Sequence, residues 1–453
     1  MSDPAPAPAS GAGACRRPAR GGADVAALER ALAGVLGAGA VSADPAERRA
    51  ASTDWAHLSP VLAARLPAGT ADLVAHPGDP AELAATVALA HRHRVPVTVR
   101  GKGTGNYGQS IPLRDGLVVD TGRCDRVRTV GEGWVHAEPG ATFVALEAAA
   151  RRSGQELALV PSTVGSTVGG FLAGGAGGTG SLANGAVWDG FVHALEAVPC
   201  TDEAAAVTLE GADCLPMLHA YGVTGVIAGV TVALRPRRDW TALFASFPAD
   251  GYPGATAAAL AVAALDPVPR LLSLDEPGIV AAYPVDPGMP RGRHSLRAVV
   301  DASTVAAASA LVTGLGGTVE EVRPKGVPLL TSLSFNHTTY RVLRARPGMC
   351  HLQAGGRVLV EDLDAVRAVA PGLLLHLDGF RTPAGVVLAG MLMVPFAGPD
   401  ALAATVDDLR AIGVDVDVSP HTWDLHRFLD RIRPAAARFD PDGLLNPGKL
   451  PPP

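Results

Sequence analysis

The sequence predicts an α+β protein. Three observations carry that expectation. Helix-period and strand-period segments alternate along most of the 453 residues. Two strand-like runs, LLLHL at 373–377 and VVLAGMLMV at 386–394, flank the turn FRTPAG and read as an antiparallel hairpin. The chain is too long for one ordinary core, and its 48% apolar content suits two or three packed domains.

Taken in order, residues 1–22 are rich in Ala, Pro, Gly and Ser and read as a disordered tail. Residues 24–38 read as a helix, and strand signals begin at Ala71–Ala75. In HPGDPAELAATVALAHRHR, Asp79 caps a helix, Pro80 fits its first turn, and Leu83, Val87 and Ala90 share one face. VPVTVRG completes a β-α-β unit. LVVD (117–120) and WVHAE (134–138) read as strands, and Thr142–Arg152 as a helix stopped by Gly154. A glycine-rich stretch fills 161–185. Strands follow near 195–199 and 205–209, a helix near 213–221, and the strand VIAGVTVAL at 226–234, closed by Pro236. The pattern then restarts: strand 241–247, helix 254–265, strand 296–300, helix 303–314 and strand 318–322. After the hairpin come a helix near 400–411, a strand at 414–418 and a last helix at 424–438. No internal repeat of 20–50 residues is visible.

Composition excludes several classes. The net charge is −6 and no basic stripe with interleaved aromatics occurs, so no nucleic-acid partner is expected. The five cysteines, Cys15, Cys124, Cys200, Cys214 and Cys350, are scattered and form no CxxC pair. That argues against a disulfide framework or thiolate zinc site and for a reducing cytoplasm. No apolar run is long enough to span a membrane, and no secretory signal is evident.

Two segments carry the chemical signal. VPVTVRGKGTGNYGQSIP (95–112) holds Gly103, Gly105 and Gly108 in a GxGxxG pattern. A Rossmann reading needs a helix straight after the glycines, but Ile111-Pro112 and then Arg114-Asp115-Gly116 follow, which is a turn. A Walker A reading fails because Gly103, not Ser or Thr, follows Lys102. What remains is a strand ending in a tight loop whose backbone N–H groups form a nest for a diphosphate. The second segment is PSTVGSTVGGFLAGGAGG (161–178), too long and apolar for a mere linker.

Together these segments resemble the vanillyl-alcohol-oxidase and p-cresol-methylhydroxylase family of FAD-linked oxidases. Arg100-Gly101-Lys102-Gly103-Thr104 matches the family's R-G-G-G-T/H loop, with Lys102 in place of one glycine. Pro161, Thr167, Val168, Gly169 and Gly170 match its proline followed by T/S-x-G-G. Gly185, Asp189 and Phe191-Val192 resemble its G-x-x-x-D-x-V stretch, and Gly222, Gly225, Val226 and Ile227 its G-x-x-G-I strand. Phe439 to Lys449 matches its ending F-D-P-x-G-x-L-N-P-G-K. The resemblance covers roughly 70–235 and 424–453 and leaves the middle poorly covered.

The resemblance implies a two-subdomain FAD-binding domain over 23–238, an α+β substrate (cap) domain over 239–423, and a return to the first domain over 424–453. It implies FAD contacts from Arg100, Gly101, Lys102, Gly103, Thr104, Gly105, Asn106, Gln109 and Ser110 in the first loop. In the second it implies Pro161, Ser162, Thr163, Val164, Ser166, Thr167, Gly169, Gly170, Gly174 and Gly177. Gly225, Val226, Ile227, Asn446 and Lys449 complete the expected set, although the NPGK segment also reads as a structural turn. Many relatives carry a flavin-bonding histidine where Thr104 stands, so FAD is expected to be non-covalent.

Flavin chemistry needs a C–H donor and usually a base. The candidates are His337 and Tyr340 in Asn336-His337-Thr338-Thr339-Tyr340, where Asn336 or Thr338 could instead cap a helix. His376 and Asp378 share one strand face, with Arg381 beyond them as a bidentate carboxylate ligand. His421 precedes the last helix. No metal is expected, since the zinc-type GHxGDGNxH segment of some relatives is absent. The expected activity is oxidation of a CH–OH group of a hydroxy acid, sugar or polyol, with oxygen or a carrier as electron acceptor and a homodimer allowed. Oxidation of a CH–NH group, a flavin-binding protein without redox turnover, and a nicotinamide-dependent enzyme are the alternatives.

Overall fold

The computed structural model describes residues 24–417 and 421–453. The tail expected at 1–22, and Val418, Ser419 and Pro420, lie outside the described residues.

Three sheets organise the chain. The first contains β1 (Val41–Ser42), β2 (Leu73–Ala75), β3 (Val97–Arg100) and β4 (Leu117–Asp120) in the order β1-β2-β4-β3. β4 lies between β2 and β3 and is parallel to both. The apolar runs Leu73–Ala75 and Leu117–Val119 of β2 and β4, buried throughout, are what a sheet covered on both faces requires. The helix Pro80–Arg92 links β2 to β3, and Asp79 caps it by accepting from the Ala81 and Glu82 N–H groups at 2.9 Å. The crossover brings the first glycine loop out at the carboxyl end of β3, where open parallel sheets form binding crevices.

The second sheet comprises β5 (Val127–Gly131), β6 (Trp134–Ala137), β7 (Gln155–Leu157), β8 (Val192–Val198), β9 (Val207–Glu210) and β10 (Val226–Pro236). β10 is central and pairs antiparallel with β6, β7 and β8. The helix Phe143–Arg152 contributes Phe143, Leu146 and Ala150 to its core.

The third sheet is antiparallel and holds eight strands: β11 (Trp240–Phe247), β12 (Leu271–Asp275), β13 (His294–Asp301), β14 (Thr318–Arg323), β15 (Met349–Gly355), β16 (Leu374–Thr382), β17 (Gly385–Pro395) and β18 (Asp415–Asp417). Helices Tyr252–Ala263, Val305–Gly314 and Pro399–Ala411 pack on one face. Alternation divides each strand between the two faces. Cys350, Leu352 and Ala354 of β15, Leu375 and Leu377 of β16, and Leu392 and Val394 of β17 join the helices in one core. His351, Gln353, His376, Asp378 and Met391, one step out of phase, face the other way.

The expected hairpin is present as β16–β17, paired from Leu374↔Met393 to Thr382↔Gly385. Its turn contracts from FRTPAG to Pro383-Ala384, so Asp378-Gly379 lies within the strand. Three expectations are corrected. The stretch 161–185 is not all loop: Thr167 caps a helix Val168–Gly174, accepting from Gly170 N–H at 3.4 Å, and Ser181–Asn184 forms another. Strands β12 and β15 went unread because LLSLD and MCHLQAG contain no β-branched or aromatic residue. The last helix begins at Leu429 rather than 424, because Phe428 takes a left-handed φ of 58°.

Candidate active site

A cavity of about 500 Å³ lies where the three sheets meet. One side is built by the two glycine loops. Gly101 stands against Thr167 so closely that a Cβ there would fall 1.9 Å from Thr167 Oγ1. The loops are also tied by Thr104 Oγ1 and Ser166 Oγ at 3.0 Å. Gly103 takes φ +63°, and a Cβ on it would fall 1.9 Å from an Arg100 guanidinium nitrogen. Two positions without a Cβ thus let the loops touch and let Arg100 fold underneath.

The wall these loops form suits an anion. Lys102, Gly103, Thr104 and Gly105 line the cavity, and their N–H groups donate to no acceptor among the described residues. Arg100 and Lys102 add positive charge, and neither loop contains a carboxylate. Four successive free N–H groups beside a guanidinium are an arrangement that suits an anion. Three further buried polar atoms on lining residues have no partner among the described residues: Asn106 Oδ1, Ser110 Oγ and His337 Nε2. Buried polar atoms are normally satisfied, so their partners belong to what fills the cavity.

The expected loop residues line this cavity with one exception, Val164, which points outward and is 38% exposed. Gly225, Val226 and Ile227 line it as well. Asn446 and Lys449 do not. They brace the first loop from behind. Asn446 Nδ2 donates to Gln109 O at 2.8 Å and to Tyr221 O at 2.7 Å, and the fully buried Lys449 ammonium donates to Gly108 O. Burial pulls the Lys449 pKa down to about 7 and pushes that of buried Asp54 up to about 6. Lys449→Met leaves the Gly108 carbonyl without its donor, at a cost of about 1–3 kcal/mol. Flavin titration of the apoprotein is predicted to show FAD binding weakened about tenfold or more; an unchanged dissociation constant would count against the brace.

The opposite wall comes from the third sheet and the helix Asn336–Ala345. His337 lies on that helix. Its Nδ1 is 2.9 Å from Ser162 Oγ of the second loop, and Trp55 packs edge-on with ring centroids 5.1 Å apart. Burial pulls the imidazole pKa down to about 4, so it is neutral near pH 7. Neither Asn336 nor Thr338 caps the helix. Phe335 is the cap residue, with φ 55° and ψ −160°, a conformation costly for a bulky side chain. What holds it is a buried cluster on β12, β13 and β16.

That cluster is where His376 lies. Its Nδ1 is 2.6 Å from Asp275 Oδ1 and its Nε2 is 2.8 Å from Asp378 Oδ2. Burial opposes its charge, but Asp378 and Asp275 outweigh burial and push the pKa up to about 10. Arg297 pairs with Asp275 and donates to Leu333 O at 3.0 Å, while Asp378 Oδ2 accepts the Phe335 N–H at 2.9 Å. Two cations and two carboxylates therefore clamp residues 333–335 and aim Asn336 and His337 at the cavity. Asp378 lines the cavity, whereas His376 does not. A charged imidazole between two carboxylates holds structure and is a poor base.

Three other candidates stand apart. Tyr340 is buried behind the first loop, donating to Asn106 O at 3.1 Å. Arg381 shares the parity of Leu375 and Leu377, so the pleat turns it away from His376 and Asp378, and it does not line the cavity. His421 lies against Cys350 Sγ at 3.5 Å and His351 O at 3.3 Å, outside the lining. Lining residues the sequence reading missed include Tyr107, Trp188, Tyr221, Gln353, Phe380 and Arg427. Only Tyr107 and Trp188 stood inside recognised motifs, the first glycine loop and the Gly185–Val192 stretch. The others come from segments whose convergence no local pattern shows. Among the described residues no group of three or more His, Cys, Asp or Glu is placed to hold a metal ion, and no helix is long and apolar enough to cross a membrane.

Residues 71–204 match the family described as "FAD binding domain". The chain is 31% identical to the D-lactate dehydrogenase of Archaeoglobus fulgidus over 185 residues, covering 39% of this chain and 42% of that protein. It is 30% identical to the glycolate oxidase subunit GlcD of Escherichia coli over 173 residues, covering 36% of this chain and 35% of that subunit. The matched stretch thus spans less than half the length of these relatives. Among solved structures, an alkyldihydroxyacetonephosphate synthase superposes with a TM-score of 0.74 at 15% identity, over 94% of this chain and 86% of the other. That likeness concerns the fold.

Proposed function

Because the chain belongs to the FAD-linked oxidases that carry a p-cresol-methylhydroxylase-type FAD-binding domain, we propose that it is an FAD-dependent oxidoreductase removing a hydride from a CH–OH group of a small polar substrate. In this reading the first two sheets form the cofactor domain, and the eight-stranded sheet is the substrate cap. The observation that carries it is His337 Nε2, buried and without a hydrogen-bond partner among the described residues, on a residue that lines the same cavity as Lys102–Gly105 with their free N–H groups. FAD, held by the two glycine loops, supplies the hydride acceptor. His337 takes the hydroxyl proton at Nε2, with Ser162 accepting the hydrogen on Nδ1 and so fixing the tautomer that leaves Nε2 basic. Neutrality at pH 7 keeps that nitrogen free to accept.

Thr104 offers no flavin-bonding side chain, so the FAD is dissociable. The purified protein is predicted to absorb near ~375 and ~450 nm, with the colour passing into the supernatant on acid precipitation. Colour left in the pellet would mean a covalent bond. Anaerobic bleaching by hydroxy acids or polyols tests the reaction. A flavin that no CH–OH donor reduces sinks this reading.

A further inference from the structure

We propose that Tyr107 is a donor-only anchor for a carboxylate oxygen of the substrate, set in that role by Asn336 and Gln353. The proposal rests on the cavity being the active site. Tyr107 lies in the first glycine loop, is 4% exposed and lines the cavity. Its phenol reaches across to the third sheet. The oxygen accepts from Asn336 Nδ2 and, at 2.6 Å, from Gln353 Nε2. Gln353 Nε2 also lies 3.5 Å from Asn336 Oδ1, so each amide fixes the other's orientation.

A phenol oxygen has two lone pairs and one hydrogen. Both lone pairs are engaged, so the group has only a hydrogen to offer. Among the described residues nothing accepts it. The ring's neighbour His351 stacks with centroids 6.1 Å apart and planes inclined by 29°, and neither of its nitrogens has a hydrogen-bond partner among the described residues. A buried hydrogen on a cavity wall needs an acceptor from the cavity's occupant. A polyol hydroxyl can use its own hydrogen elsewhere and gains little from such a site. A carboxylate presents only acceptors and makes the stronger, charge-assisted bond. Arg427 lines the same cavity and is paired with Asp417; Asp415, which is exposed, and Asp378, which accepts from Ser273 and the Phe335 N–H, line it as well. The flavin's own carbonyl oxygens are the other source of an acceptor. The substrate is favoured because both amides that set the phenol come from the third sheet and the helix beside it, the wall opposite the diphosphate nest.

The test is calorimetric titration of the FAD-loaded protein with oxamate, a carboxylate with no oxidisable C–H, and with glycerol. Oxamate is expected to bind more tightly than glycerol. Tyr107→Phe is expected to weaken oxamate tenfold to about a hundredfold, leaving glycerol and the FAD dissociation constant unchanged. Gln353→Glu is expected to do the same with the phenol still present, because the new carboxylate captures its hydrogen. The proposal is overturned if oxamate does not bind the wild type, if Tyr107→Phe leaves its affinity unchanged, or if FAD affinity falls in place of oxamate affinity. Failure of the proposed reaction shows separately, as flavin that no donor bleaches, since oxamate binding requires no turnover.

Discussion

Replacing His337 with alanine is expected to lower the turnover number about 10²–10⁴-fold, the usual contribution of a positioned base. FAD retention should stay near wild type, because His337 meets the second loop only through Ser162 Oγ at 2.9 Å. Ser162→Ala should show part of this loss, since the imidazole keeps its place but loses the partner that fixes its tautomer. The pH profile provides an independent check. With a folded pKa near 4, the base is neutral from about pH 5 upward, so the limb it governs lies near 4 and not near 6.5. The linked stability has a definite sign. The unfolded chain binds this proton near 6.5 and the folded chain only near 4, so His337 makes the protein less stable as pH falls from 6.5 toward 4 and has no such effect above that range. An acid limb near 6.5 in wild type, or full turnover in His337→Ala, would assign the proton to another group.

Gly101→Val is expected to weaken FAD retention strongly while leaving the third sheet intact. Even a Cβ at this position would stand 1.9 Å from Thr167 Oγ1 and 3.0 Å from Thr167 Cβ, and valine adds two methyl groups. Thr167 cannot swing aside freely, because the same oxygen caps the helix Val168–Gly174. The loops must part. Overpacking of this kind costs about 1–3 kcal/mol, so FAD affinity should fall by about tenfold to a hundredfold or more. Apoprotein yield and circular dichroism separate loss of binding from loss of folding. Gly133→Ala serves as a control, since nothing lies within 4 Å of a Cβ there, although its φ of +79° brings some local strain of its own. A Gly101→Val protein that purifies yellow would show that the loops do not need this close approach.

Much of the proposed cofactor site could be read from the chain because its physics is local. A strand, a tight turn and glycines at fixed offsets suffice to make a nest of N–H groups, and all three are sequence properties. Gly101, Gly103 and Thr104 were legible for that reason, as was Asp79 as a helix cap. The substrate side was not legible to the same degree. His337 stood out as a polar residue after an apolar run. His376 stood out equally, yet the fold places it between Asp275 and Asp378 as a buried cation. Nothing near His376 in sequence announces Asp275, which lies 101 residues away and pairs only because β12 neighbours β16. Arg381 failed for a simpler reason: one residue of pleat separates the cavity face from the helix face.

By itself, then, the sequence determined the alternation of elements, the hairpin, the two glycine loops and the FAD-binding character of the domain that carries them, since each depends on residues within a few positions of one another. Only the tertiary structure decided which histidine is neutral and which is charged, that Asn446 and Lys449 brace a loop instead of lining the cavity, and that Tyr107 meets Asn336 and Gln353. Those outcomes depend on burial and on partners 100 to 350 residues distant, and both are set when the sheets pack together.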